Sequence, residues 1–484
     1  MKWQRIVAEL QEFARLTCRL ALAFYSVVRK RPSVVAEFNR FRKERMSHFG
    51  VLSYKGTGHL NPLIALSRQL TARGHRVTFF QRPELETRVR QYGLEFSPIG
   101  RARSTSGEHG RADSQHSTLS GIAGLRYRLR RIINDMEMFL REAPSALTQA
   151  GIDALIIDEI ALPGPTLAQM LHLPYFVVST SVPHHFGWAV PPSLSGYKDS
   201  TSYFDRVQNM LLQVSVLRMR GPIRRRLDDY RRKAGLGPIR EIQKVFPELA
   251  HIAQLPQCLD FPRSMLPNNF YYTGPFVDEA VRPSVEFPWN RLDGRPLIYA
   301  SLGTAQKSQP VIFRLIAEAC QELDLQLVIS LGGRLDPDIL DGLPGQPLVV
   351  RYAPQLELLR RAEVVITHGG LNTVLEALME GKPMIAIPMA HDQPAVAARL
   401  AWLKISEVLP VKRLSAKQLR VALAKILKNA SYRDAAMEVQ ARIRSARGLE
   451  RAVEVIEEAL ERFADSPFKA NASSMVAISG MTVQ

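Results

Sequence analysis

The chain is poor in cysteine, with only Cys18, Cys258 and Cys320 among 484 residues. Widely spaced and odd in number, they make neither a disulfide framework nor a metal-ligand pattern, and they point to a reducing compartment. Long apolar runs are missing as well. The best, Leu20 to Val28, has about nine residues where roughly 20 are needed to span a bilayer. Arg29-Lys30-Arg31 follows it at once with no small-residue cleavage site, which argues against secretion and leaves the cytoplasm as the expected location. Acidic charge is also in short supply: 46 Asp+Glu face 64 Lys+Arg, a formal +18. That excess suits an anionic partner, meaning nucleic acid, an acidic membrane surface or a phosphorylated ligand. No helix-turn-helix, aromatic-basic or zinc pattern accompanies it, so a nucleic-acid partner is not expected.

What is present is the composition of a globular enzyme, 46% hydrophobic and 23% charged, in a chain too long for one core. Residues 1–45 stand apart, with eleven Lys/Arg against four Asp/Glu and with Phe, Leu and Val at loosely helical spacing. Two readings fit: a solvated basic helix ahead of the true start near Met46, or an amphipathic helix lying on an anionic membrane. From His48 the pattern becomes α/β. His48–Tyr54 reads as a strand, Lys55-Gly56-Thr57-Gly58-His59 as a Gly-rich turn, and a helix follows with Asn61 as N-cap and Pro62 at its first position. Later strands are read at 76–80, 154–158 and 175–179. After a Pro/Gly/aromatic stretch at 273–296 come others at 297–302, 326–331, 348–352, 364–367 and 384–387. Apolar strands alternating with helices imply parallel sheets. The expected architecture is two Rossmann-like doubly wound domains, 46–285 and 286–464, facing across a cleft. A disordered tail is expected at 465–484.

The densest chemistry is Thr367-His368-Gly369-Gly370-Leu371-Asn372-Thr373-Val374-Leu375-Glu376, which follows a strand and opens a helix. Adjacent glycines at a helix N-terminus let backbone N–H groups approach an anion, and the helix dipole favours negative charge there. Neither Walker lysine spacing nor GxGxxG is present. Glu376 lies about 7.5 Å along the axis from Leu371, roughly the reach from a diphosphate to its ribose. Asp392 and Gln393, past the next strand, supply acceptor and donor groups suited to sugar hydroxyls.

The run from Tyr352-Ala353-Pro354-Gln355 through His368, Gly369, Gly370, Asn372, Thr373, Glu376, Gly381, Pro383, Pro388 and Asp392-Gln393 resembles the donor-binding signature of family 1 UDP-glycosyltransferases. The intervals from His368 to Glu376 and from Glu376 to Asp392 match it. The interval from Pro354 to His368 is shorter than in plant members, and Tyr352 stands where they have tryptophan, though tyrosine also stacks on a uracil ring. The resemblance implies the GT-B fold, metal-independent inversion at the sugar carbon, and a UDP-sugar as co-substrate with no cofactor. Gly58-His59-Leu60-Asn61-Pro62 looks like the acceptor-side motif whose histidine is the general base. Asp158 sits where the family places the carboxylate that orients it. Ser301-Leu302-Gly303-Thr304 resembles the first donor-domain loop, near the diphosphate. Segments 273–278 and 299–304 are most similar to bacterial zeaxanthin glucosyltransferases, which implies a lipophilic acceptor; together with the basic residues 1–45 and the Arg-rich stretches 126–131 and 218–233, it leads us to expect peripheral contact with an anionic membrane.

Plainer readings stand beside these. His59 can be a structural turn residue, Asp158 a helix cap, Glu376 a solvated helix position, Ser301 and Thr304 a simple turn. A polyketide or macrolide hydroxyl, with a UDP- or dTDP-sugar, is the competing acceptor class. A non-transferring nucleotide-sugar-binding protein, or a sugar epimerase of the same fold, is the competing function. Neither of these last two needs a base in the Gly-His-x-x-Pro context. The variable stretches 101–151 and 184–247 are expected to shape the acceptor pocket. No metal ligands are apparent from spacing.

Overall fold

A computed structural model describes residues 46–100, 121–185, 190–191, 203–239, 248–263, 266–282, 285–303, 309–333 and 335–464. The expected basic extension (1–45), the expected tail (465–484), Thr304 and much of the two variable stretches lie outside the described residues.

Two all-parallel sheets organise the chain. The first holds β1 (His48–Leu52), β2 (Arg76–Gln81), β3 (Glu95–Pro98), β4 (Ala154–Asp158), β5 (Tyr175–Ser179), β6 (Glu248–Ala253) and β7 (Phe270–Tyr272), in the spatial order β3-β2-β1-β4-β5-β6-β7. The second holds β8 (Leu297–Ser301), β9 (Gln326–Ser330), β10 (Leu348–Val350), β11 (Ala362–Thr367), β12 (Met384–Ala386) and β13 (Ser406–Val408), in the order β10-β9-β8-β11-β12-β13. Strands β1, β4, β5 and β8 are buried at every position, as sheets covered by helices on both faces require. Each sheet reverses its winding direction once, between β1 and β4 and between β8 and β11, and α/β ligands bind outside the carboxyl ends of strands at such points. The fold is the GT-B arrangement.

The helix after β1 differs from the sequence expectation. It spans Thr57–Ala72, with Gly56 as the N-cap residue and Pro62 inside. Gly56 is extended, and its carbonyl accepts from the N–H groups of His59 and Leu60 at 3.0 and 2.9 Å. The Gly-rich turn therefore becomes the first helical turn, and Asn61 is buried within the helix rather than capping it. Strands β3, β6, β7 and β13, for which the sequence offered no clear run, extend the sheets outward, with β3, β7 and β13 at their edges.

The cores do not follow chain order. The last helix, Gly448–Ala464, returns to the first sheet and buries Ala452, Val453, Val455, Ile456 and Ala459 among Leu63, Leu66, Phe176 and Ile252. Its Glu457 accepts from Arg73 Nη1 at 2.8 Å. In exchange, Val182, Leu255 and Leu259 pack into the core of the second sheet.

Candidate active site

Both winding reversals open on one cleft of about 910 Å³, lined from the first half by Tyr54, Gly56, Gly58, His59 and Thr180. From the second half it is lined by Ser301, Tyr352, Gln355, His368, Gly370, Asn372, Thr373, Glu376, Asp392 and Gln393. Every described residue to which the sequence assigns a catalytic or donor-binding role lines this cleft except Asp158, which lies directly behind His59.

The register of β1 against β4 aligns Leu52 with Ile157, so the helix entry after β1 faces the carboxyl end of β4. His59 Nδ1 is 2.9 Å from Asp158 Oδ2, with side chains 20% and 1% exposed. Thr180 Oγ1, just past β5, is 2.6 Å from the same nitrogen. Nδ1–H pointing at Asp158 leaves Nε2 as the unprotonated atom of the neutral ring, the atom a base uses. Burial by itself lowers the His59 pKa. The Asp158 carboxylate opposes it by charge and hydrogen bond, Asp392 and Glu159 add to this, and the ring is held above the ordinary value of 6.5. Asp158 is fixed in turn by the N–H of Ile160 at 3.2 Å and of Tyr54 at 3.4 Å.

On the other side, β8 and β11 pair Ser301 with Thr367, which brings the loops that follow the two strands together. His368 is sandwiched between two glycines. A Cβ at Gly303, where φ is +73°, falls 2.7 Å from His368 Nε2, and one at Gly370 falls 2.4 Å from it. Burial pushes the His368 pKa down to about 4, against a hydrogen bond to the Ser301 backbone. In the unliganded cleft the neutral form of this ring is therefore favoured. Positive potential at the site comes from the N-terminus of the Leu371–Met379 helix, which starts at Gly370 with no side-chain cap.

Glu376 is buried on that helix, 1% exposed. Gln355 Nε2 donates to its Oε2 at 2.5 Å, and Arg282 pairs with its Oε1. Gln355 also accepts from Tyr299 Oη at 3.0 Å, so its side chain orients the carboxylate from behind. Gln393 Oε1 accepts from the N–H groups of Met389 and Ala390, both at 2.9 Å, which leaves its amide N–H₂ for a ligand. Asp392 is the N-cap residue of the Gln393–Trp402 helix.

Six residues escaped the sequence reading. Thr180 follows a strand that had been read correctly, so its position at the carboxyl edge was a usable signal. Gln254 follows β6, whose strand was not read. Arg282 lies in the connection between halves, where no pattern marks it. Glu159, His185 and His251 place ligand atoms within 4.8 Å of one another, although 26 and 66 residues separate them in sequence. Glu159 already accepts from Ser179 Oγ and the His184 N–H, both at 2.8 Å, and His251 Nε2 is 2.7 Å from Ser179 Oγ. Those bonds make the cluster a hydrogen-bonded support behind the cleft.

Comparison with known proteins decides the family. Residues 124–462 match the model of UDP-glucoronosyl and UDP-glucosyl transferases, and residues 51–182 match the glycosyltransferase family 28 N-terminal domain. The chain is 30% identical to the zeaxanthin glucosyltransferase of Pantoea ananas over 86% of this chain and 96% of that protein. The chain belongs to the UDP-glycosyltransferase family. An NDP-glycosyltransferase of Bacillus subtilis is 26% identical over 86% of the transferase and 98% of its own length. Among solved structures, the glycosyltransferase of kitacinnamycin superposes with a TM-score of 0.66 at 25% identity, covering 86% of the transferase and 99% of that chain. CalG4, the calicheamicin glycosyltransferase, gives 0.65 at 23% identity, covering 87% and 99%.

Proposed function

We propose that this glycosyltransferase moves a hexose, glucose in the first instance, from a UDP-sugar to a hydroxyl of a lipophilic acceptor such as a carotenoid, inverting the sugar carbon without a metal at the diphosphate. The observation that carries transfer is the His59–Asp158 contact of 2.9 Å at the cleft wall. His59 Nε2 takes the acceptor proton while the acceptor oxygen forms its bond to the anomeric carbon. The bond from that carbon to the diphosphate breaks, and its electron pair leaves with the diphosphate. Asp158 holds the ring tautomer and stabilises the imidazolium. The Leu371–Met379 helix N-terminus, with Ser301 and Gly303 beside it, takes up the developing charge. Glu376 accepts from the ribose once Arg282 yields, Tyr352 stacks on the base, and Asp392 and Gln393 hold sugar hydroxyls. A non-transferring binding protein has no use for the buried carboxylate behind His59.

The lipophilic acceptor is supported by the likeness to zeaxanthin glucosyltransferases. The competing reading, a natural-product acceptor with a dTDP-sugar, is supported by VinC, solved with dTDP, and SpnG, solved with spinosyn aglycone. Mass spectrometry of products from a panel of carotenoid and polyketide alcohols, each with UDP-glucose and dTDP-glucose, separates them. Products only from polyketides with dTDP-glucose would overturn both donor and acceptor. Chelation is expected to leave turnover intact. Loss with EDTA that magnesium restores would require a metal at the leaving group.

Peripheral contact with an anionic membrane belongs to the same proposal. Where the Tyr203–Met219 helix meets the Gly221–Lys233 helix, Leu217, Arg218, Met219 and Arg220 are exposed in succession, the two apolar ones at 53% and 52%. Among the described residues no helix is long and apolar enough to cross a membrane. Basic side chains near an anionic leaflet contribute about 1 kcal/mol each. Co-sedimentation with anionic vesicles, weakening with salt, is the expected result. Equal partitioning onto neutral vesicles would remove the membrane contact.

A further inference from the structure

One side chain from the second half reaches directly onto the turn that carries His59. Asn372 Nδ2 donates to the Gly58 carbonyl at 2.8 Å, and its Oδ1 accepts from Gln254 Nε2 at 2.9 Å. Gln254 is buried, and the same amide nitrogen donates its other hydrogen to the Thr180 carbonyl at 2.5 Å. Thr180 is itself a neighbour of His59 Nδ1.

The Gly58 carbonyl is free to accept because of Pro62. In an α-helix the carbonyl of residue 58 would receive the N–H of residue 62, but proline has none, and its ring pushes that carbonyl outward. Pro62 lies inside the Thr57–Ala72 helix, so the orphaned acceptor falls one residue from His59 and opens toward the second half. Gly58 is exposed, so its carbonyl can also reach water, and the one side chain that takes it up comes from the Leu371–Met379 helix of the second half.

We propose that Asn372 and Gln254 form a latch across the cleft, with the carbonyl orphaned by Pro62 as its receptor, which sets the position of His59 against the bound donor. This rests on His59 being the base. In it Gln254 is a positioning residue. The Asn372 side chain serves the first half, while the backbone of its helix turn faces the diphosphate.

The test compares stability, kcat and donor KM in Pro62→Ala, Gln254→Ala, Gln254→Glu, Asn372→Ala and Gln254→Ala/Asn372→Ala. Pro62→Ala restores an N–H that competes for Gly58, so its melting temperature should hold or rise while kcat falls several-fold. A structural role for Pro62 predicts no such opposition. Glutamate matches glutamine in size but only accepts when ionised, so Gln254→Glu should lose as much kcat as Gln254→Ala, about tenfold. Donor KM should stay within about twofold, and the double variant should fall no further than its worse single parent. Wild-type kcat in Pro62→Ala, losses confined to donor KM, or single effects that multiply in the double variant would each overturn the latch. Should the Gln254 variants fail to fold, Pro62→Ala decides alone. An active His59→Ala would remove the base itself, whereas an inactive His59→Ala beside an undiminished Pro62→Ala removes only the latch.

Discussion

His59 carries two opposed influences, burial that favours the neutral ring and the Asp158 charge that favours the imidazolium, and the second prevails. The consequence is a signed pH dependence. The base works unprotonated, so kcat/KM should fall as pH drops through a value above 6.5, the ordinary histidine value. Asp158→Asn removes the charge, so that acid limb should move to lower pH even as the rate falls by about 10³-fold or more, the scale of a mis-set tautomer. A pH–rate profile of both proteins checks this, and an unmoved limb would mean that another group titrates. His59→Ala should lower transfer about 100-fold or more, with UDP binding by calorimetry preserved because the donor groups are on the other half. Glu376→Ala should raise donor KM and change kcat less, since ribose contacts exist before and during reaction. An unchanged KM would return Glu376 to a purely internal role with Gln355 and Arg282.

The turn between β11 and the Leu371–Met379 helix is built on residues that lack a side chain. Gly369 has φ +80° and Gly303 has φ +73°, the left-handed region, so each tolerates substitution poorly. Gly370 is different: its φ of −65° suits any residue, but a Cβ there lies 2.4 Å from the His368 ring. Gly370→Ala is therefore expected to displace His368 with little backbone strain. Donor KM and kcat should both suffer, while the melting temperature changes by only a few degrees. A normal transferase with alanine at 370 would show that the ring can move without consequence.

Across the whole molecule the two halves are also joined by a buried ionic cluster. Asp260, from the connection after β6, accepts from Arg399 Nε and Nη2 at 2.9 and 2.7 Å and from Arg263 Nε at 2.7 Å, and Asp260 and Arg399 are each 1% exposed. Arg399 lies on the helix that begins at Gln393, so this pairing fixes the end of the cleft that carries Asp392 and Gln393 to the first half. Removing one partner of such a group strands a buried charge, at a cost of about 3–5 kcal/mol. Asp260→Ala should therefore lower denaturant stability by that order, and adding Arg399→Met should recover part of it. Strict additivity of the two would separate them energetically.

The sequence by itself determined the class of fold, since apolar strands alternating with helices have few ways to bury both faces. It also determined that the residues singled out between Tyr352 and Gln393 would share one cleft, because consecutive strand–helix units set their spacing. The helix start at Thr57 was misread because Asn61-Pro62 makes a standard start signal, which an extended Gly56 four residues earlier overrode. Only the tertiary structure decided what depends on contacts between distant segments. Thr180 and Gln254 approach His59 and Asn372 across 121 and 118 residues. Arg282 reaches Glu376 across 94 residues, and the last helix completes the first core. The neutral form favoured at His368 is likewise a property of its burial between Gly303 and Gly370, which no local pattern of residues encodes.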